Sequence, residues 1–167
     1  MLSESLIKQV KLPYSLYIHR NAARNMIIFF HNFLVLIPIY FLFHATAQIN
    51  LYTLLIIPGL ALLYVNMIAY GIILAMIGTR YRDVSQIIKS LVQVIFFMTP
   101  VMWNPSILPE RIRLMVNLNP FYSFLEMIRA PLLGHAPTLL NTAVTLAVTV
   151  IGLFFCFRFL SKYRARI

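Results

Sequence analysis

From Leu51 to Thr79 the chain runs without a charged side chain, and it does so again from Leu139 to Phe157. A helix rises about 1.5 Å per residue and the bilayer hydrocarbon is about 30 Å thick, so about 20 apolar residues cross it. Runs of that length belong in lipid, because water cannot solvate them and a small core cannot hide them. Two further stretches qualify. Met26–Phe43 carries no charge, and Val84–Trp103 is interrupted only by Lys89 near its start. The expected fold is all-α, a polytopic membrane helical bundle of about four transmembrane helices. Composition agrees. The chain is 11% charged, whereas a soluble domain carries about 25%.

The net charge of +10 would suggest nucleic acid in a soluble protein. Here the basic residues flank apolar runs and form no continuous stripe, so a nucleic-acid partner is not expected. They instead give orientation, because Lys and Arg gather in cytoplasmic loops. Lys8, Lys11, Arg20 and Arg24 precede the first span, Arg80, Arg82 and Lys89 surround the turn between spans two and three, and Arg158, Lys162, Arg164 and Arg166 follow span four. Only Arg111, Arg113 and Arg129 occupy the two other connections. Both ends and the Arg80–Asp83 turn are therefore expected on the cytoplasmic side.

Polar residues inside the spans read first as structure. Pro58, Gly59, Gly71 and Gly78 in span two suit close helix approach. Asn66 suits an interhelical hydrogen bond, and the same reading covers His31 and Asn32 in span one. Asp83 followed by Gln86 reads as an N-cap with its reciprocal partner.

Between spans three and four, Asn104-Pro105 and Asn119-Pro120 each place a capping residue before a proline suited to the first helical position. Phe121, Phe124, Leu125, Ile128 and Leu132 share one face, with Tyr122, Glu126 and Arg129 opposite, where Glu126 and Arg129 can pair. Gly134 ends that helix. Pro109–Asn117 reads as a shorter one. Neither is long enough to cross, so both are expected as re-entrant or interfacial helices on the outer side, suited to a lid over an exit path. At the N-terminus, Leu6, Ile7 and Val10 share a face opposite Lys8, Gln9 and Lys11, before Leu12-Pro13 breaks the helix. Such a basic amphipathic helix rests on membrane lipid or plugs into a cytosolic partner, and the residues alone leave both open.

Catalytic chemistry is missing from the sequence. No Lys follows a Gly, so the phosphate cradle of a P-loop cannot form. Glu4, Asp83, Glu110 and Glu126 are scattered, His19, His31, His44 and His135 show no metal-ligand spacing, and Cys156 stands alone. No cofactor, no metal and no enzyme activity are expected, which argues against a membrane glycosyl or phosphoglycosyl transferase. Selective passage or structural support remains. Tyr17, Tyr52, Trp103 and Tyr122 fit interfacial aromatic belts. Phe96 and Phe97 lie deeper, where aromatic faces suit either lipid or the C–H faces of sugar rings.

Three stretches together resemble the permease subunit of type-2 ABC exporters, in the branch that exports O-antigen, capsule and teichoic acid polysaccharides. They are Leu6–Pro13 with Arg24–His31, then Arg80–Asp83 with Met98–Trp103, then Leu118–Phe121 with Glu126–Arg129. The resemblance implies that Leu6, Ile7, Lys8, Val10, Lys11 and Pro13 couple the permease to a separate ABC ATPase subunit, with Arg80, Arg82 and Asp83 as further coupling candidates. It implies a translocation path or exit gate, for which Phe96, Phe97, Trp103, Phe121, Tyr122, Glu126 and Arg129 are the candidates. It also implies a second permease copy as a homodimer partner, a lipid-linked glycan substrate and the bacterial cytoplasmic (inner) membrane.

On that reading residues 1–25 are a cytoplasmic coupling segment and 162–167 a basic cytoplasmic tail. Residues 26–161 form the permease domain, with spans about 26–44, 51–79, 84–103 and 139–160 and periplasmic helices about 107–117 and 120–133. Family members usually have six spans, so two are expected to be missing here. The alternatives are a drug or lipid permease of the same type, or a truncated non-functional fragment.

Overall fold

A computed structural model describes residues 14–35, 37, 38, 42, 50–81, 83–101, 107 and 109–163. Among these the chain is helical, with no strand. Helix α1 covers Tyr14–Phe33. A 3-10 turn over Leu51–Leu55 leads directly into α2, Ile56–Arg80. Then come α3 (Val84–Met98), α4 (Glu110–Asn117), α5 (Pro120–Leu132) and α6 (Leu139–Tyr163).

Among the described residues, two helices are long and apolar enough to cross a membrane. Leu51–Arg80 has 30 residues and Leu139–Lys162 has 24, each with mean hydropathy 2.2. Helix α3, with 15 residues, is apolar but shorter, about 22 Å. It stops before the expected limit at Trp103 because Thr99 precedes Pro100, which disfavours helical backbone. Thr99 is extended, at φ −92° and ψ 128°. Helix α1 begins at Tyr14, well before Met26. Most of residues 36–49 lie outside the described residues, as does Asn104-Pro105.

Helices α2 and α6 form the centre and run parallel. Asn66 meets Thr149, Tyr70 meets Gly152, and Ala69 and Ile72 share a buried cluster with Cys156. Residue numbers on the two helices rise together, so Arg80 shares one end of the bundle with Arg158 and Lys162. Helix α5 sits at the opposite end. There Met127 abuts Gly59, Ser123 reaches Asn141, and the Asn50 amide donates to Gly134 O at 2.8 Å. Helix α1 crosses α2 where Ile18 meets Gly71. Helix α3 buries none of its residues in the chain.

Burial is inverted relative to a water-soluble bundle. The most enclosed residues are small or polar: Ser123 and Thr145 are 0% exposed and Asn141 is 1%. Phe97 and Phe157 are 71% and 76% exposed. In water, such exposed aromatics would be expelled from solvent. In lipid, hydrocarbon solvates them at no cost, and small residues win the contacts because they let backbones approach.

Helix α5 follows the same inversion. Phe121 is exposed, whereas Tyr122, Ser123, Met127, Ala130 and Pro131 are the residues turned inward. Glu126 and Arg129 do not pair, and the ion pair found among the described residues is Glu110–Arg113 at 3.5 Å. Asp83 stands at the N-cap of α3 without a side-chain cap bond. Its backbone is already helical, so its carbonyl accepts from Gln86 N and Ile87 N while the carboxylate stays outside. His31 and Asn32 are exposed and make no interhelical hydrogen bond among the described residues.

Candidate translocation and coupling sites

At one end of the bundle, α5 folds back over the starts of α2 and α6, and α4 packs on α5. Asn119 accepts from Phe121 N at 3.0 Å and is extended, as a residue before proline must be, so α5 starts at Pro120. Helix α5 ends in a Schellman motif: His135 N donates to Ala130 O and Gly134 N to Pro131 O, with Gly134 at φ 82°. Pro131 lies inside the last turns and cannot donate to Met127 O. That carbonyl lies instead against Gly59, where an added Cβ would stand 3.0 Å from it.

Polar side chains tie this cap to three helices. Asn119 Nδ2 donates to Thr99 Oγ1 at the end of α3 (3.4 Å), and Ser123 Oγ to Asn141 Oδ1 on α6 (3.5 Å). Asn50 reaches Gly134 from the 3-10 turn. The cap is thus fixed to α3, to α6 and to the turn that leads into α2.

Below it runs a polar seam between α2 and α6. Asn66 Nδ2 donates to Leu62 O at 2.8 Å and to Thr149 Oγ1 at 2.7 Å, and Thr149 Oγ1 donates to Thr145 O. This is the interhelical bond expected of Asn66. Two buried atoms of the seam, Asn66 Oδ1 and Thr145 Oγ1, have no partner among the described residues. Asn141, Thr145, Thr149 and Gly152 are not among the residues expected to matter, although small or polar residues every three or four positions mark one helix stripe.

The candidate path and gate residues are dispersed. Phe96 and Phe97 are exposed on α3, in edge-to-face contact with centroids 5.7 Å apart. Phe121 is exposed, Tyr122 is buried, and Glu126 and Arg129 are half-buried. Burial first, and then the Glu126 carboxylate one turn away, push the Tyr122 phenol above its usual value, while Arg129 draws it back. Trp103 lies outside the described residues. At the opposite end, Arg80 lies 5.8 Å over the Tyr81 ring and Asp83 is exposed. The other coupling candidates, Leu6, Ile7, Lys8, Val10, Lys11, Pro13 and Arg82, lie outside the described residues. No three His, Cys, Asp or Glu side chains among the described residues gather around a common point.

The ABC-2 type transporter family matches residues 6–133, well over half the chain. The chain belongs to that family. It is a membrane permease of the type-2 ABC class, the transport component of such systems, and permeases of this class act with an ABC ATPase. The match includes α1 to α5 and stops beside Gly134, where α5 ends; α6 lies beyond it. No curated protein matches the chain.

Proposed function

We propose that this ABC-2 permease exports a lipid-linked polysaccharide of the O-antigen, capsule or teichoic acid type across the bacterial cytoplasmic membrane, driven by a separate ATPase. The observation that carries the reading is the α4–α5 cap. Its helices, about 12 and 20 Å long, are too short to cross, and Asn50, Asn119 and Ser123 pin α5 across the ends of α2, α3 and α6. A fixed amphipathic cap at the end away from Arg80 suits a polymer leaving between two permease copies. Phe96, Phe97, Trp103, Phe121, Tyr122, Glu126 and Arg129 are the residues we assign to that path and gate. Both chain ends and the Arg80–Asp83 turn lie on the cytoplasmic side in this reading. There Leu6, Ile7, Lys8, Val10, Lys11 and Pro13, with Arg80, Arg82 and Asp83, meet the ATPase.

Two measurements test this. Replacing Leu6, Ile7 and Val10 with Asp should abolish co-purification of the ATPase; retained co-purification removes the coupling assignment. Cells lacking the permease should accumulate lipid-linked glycan on the inner leaflet and lose it from the surface. Normal surface glycan with altered sensitivity to lipophilic drugs would assign the chain to drug export instead.

A further inference from the structure

A groove of about 750 Å³ lies between α1 and α2. Its α1 wall carries Tyr17, Arg20, Asn21, Arg24 and Asn25, and its α2 wall is Met67, Gly71 and Ala75. The depth of these residues is unexpected for arginine. Gly71 stands nine residues before Arg80, about 14 Å along the helix, and Met67 about 20 Å. Two arginines therefore line a groove beside the middle of a membrane-crossing helix, and Arg20, Asn21, Arg24 and Asn25 are all exposed within the chain.

A cation at that depth is costly unless it is paired or reaches water. Among the described residues the chain supplies no counter-charge. Asp83, Glu110 and Glu126 are the acids there, Glu110 pairs with Arg113, and neither Arg20 nor Arg24 has an acid within ion-pair distance. Arg20 and Arg24 are one turn apart, as are Asn21 and Asn25, so two cations and two amides project from adjacent stripes of one helix. The Tyr17 hydroxyl beside them is buried and has no partner among the described residues. Gly71 and Ala75 keep the opposite wall low. Guanidinium pairs and amide donors match a phosphate oxygen cluster, which Arg binds in a bidentate fashion.

We propose that this groove binds the phosphate head of a membrane lipid, with Arg20 and Arg24 as charge partners and Tyr17, Asn21 and Asn25 as added hydrogen-bond groups. A lipid would enter sideways with its tail in the bilayer and its phosphates against α1. The same chemistry is offered by an ordinary phospholipid and by the pyrophosphate of a polyprenyl carrier. The second source rests on the export function proposed above.

The test uses the full chain in detergent, with fluorescent polyprenyl pyrophosphate as probe and phosphatidylglycerol as competitor. The double variant Arg20→Gln/Arg24→Gln should weaken probe binding about tenfold or more, as loss of charged hydrogen bonds predicts. Arg20→Lys/Arg24→Lys should retain an intermediate affinity, which also guards against a folding defect. Arg158→Gln, at the end of the bundle, should bind like the wild type. Displacement by phosphatidylglycerol identifies a phospholipid site, and failure to displace identifies a carrier site; both uphold phosphate binding. Binding of phosphatidylglycerol without any binding of the probe upholds the groove but counts against a polyprenyl-linked cargo. Unchanged probe affinity in the Gln variant, or an equal loss in Arg158→Gln, overturns the proposal, and surface glycan export can still be scored separately.

Discussion

Gly152 sits where α6 passes the ring of Tyr70, and replacing it with alanine should have opposite effects in two backgrounds. A Cβ at Gly152 would lie 2.8 Å from Tyr70 Cε2 and 3.0 Å from Cζ, closer than carbon atoms approach. The ring cannot simply swing away, because its hydroxyl donates to Val148 O on the same helix at 3.0 Å. Overpacking of this sort costs about 1–3 kcal/mol, while Ala over Gly inside a helix gains about 1 kcal/mol. Gly152→Ala should therefore lower stability by about 0–2 kcal/mol in the wild type. In a Tyr70→Leu background the obstruction is gone and only the helix gain remains, so the same change should stabilise by about 1 kcal/mol. Reversible unfolding in mixed micelles across the four proteins gives the coupling, expected at about 1–3 kcal/mol. Equal effects of Gly152→Ala in both backgrounds would refute the contact and with it the parallel register of α2 and α6.

Two further changes probe the seam and the cap. Asn66→Leu removes one interhelical hydrogen bond, but Thr149 keeps its own acceptor at Thr145 O and the unpartnered Asn66 Oδ1 disappears. The net loss in micelle unfolding should stay below about 1 kcal/mol, in line with such bonds in membranes. Asn119→Ala deletes the cap of α5 together with its bond to Thr99. It should cost about 1 kcal/mol and raise hydrogen exchange at Phe121 and Tyr122 while leaving α6 protected.

Much of the cap is legible in the amino-acid sequence. Asn119-Pro120 and Gly134 mark the limits of α5 by local chemistry, since a cap needs only its own next few residues. The Asn66 bond is also legible in kind, because a buried amide in lipid must find a partner. Its partner Thr149 is not, lying 83 positions away. Apolar spacing groups the faces of α5 without saying which turns inward, because it marks the core only when water is outside. With hydrocarbon outside, Phe121 turns out and Ser123 turns in. The Glu126–Arg129 pair does not form because spacing allows a contact without requiring it.

Hydropathy and charge by themselves determined that long helices form, where α2 and α6 lie, and which ends carry the cations. Those properties are additive along the chain and need no neighbours. The tertiary structure decided the parallel seating of α6 on α2, the inward turn of Ser123, Asn141 and Thr145, and the placing of Arg20 and Arg24 beside Gly71. Each depends on which small residue lets which backbone approach, and that is a relation between distant segments which no local pattern encodes.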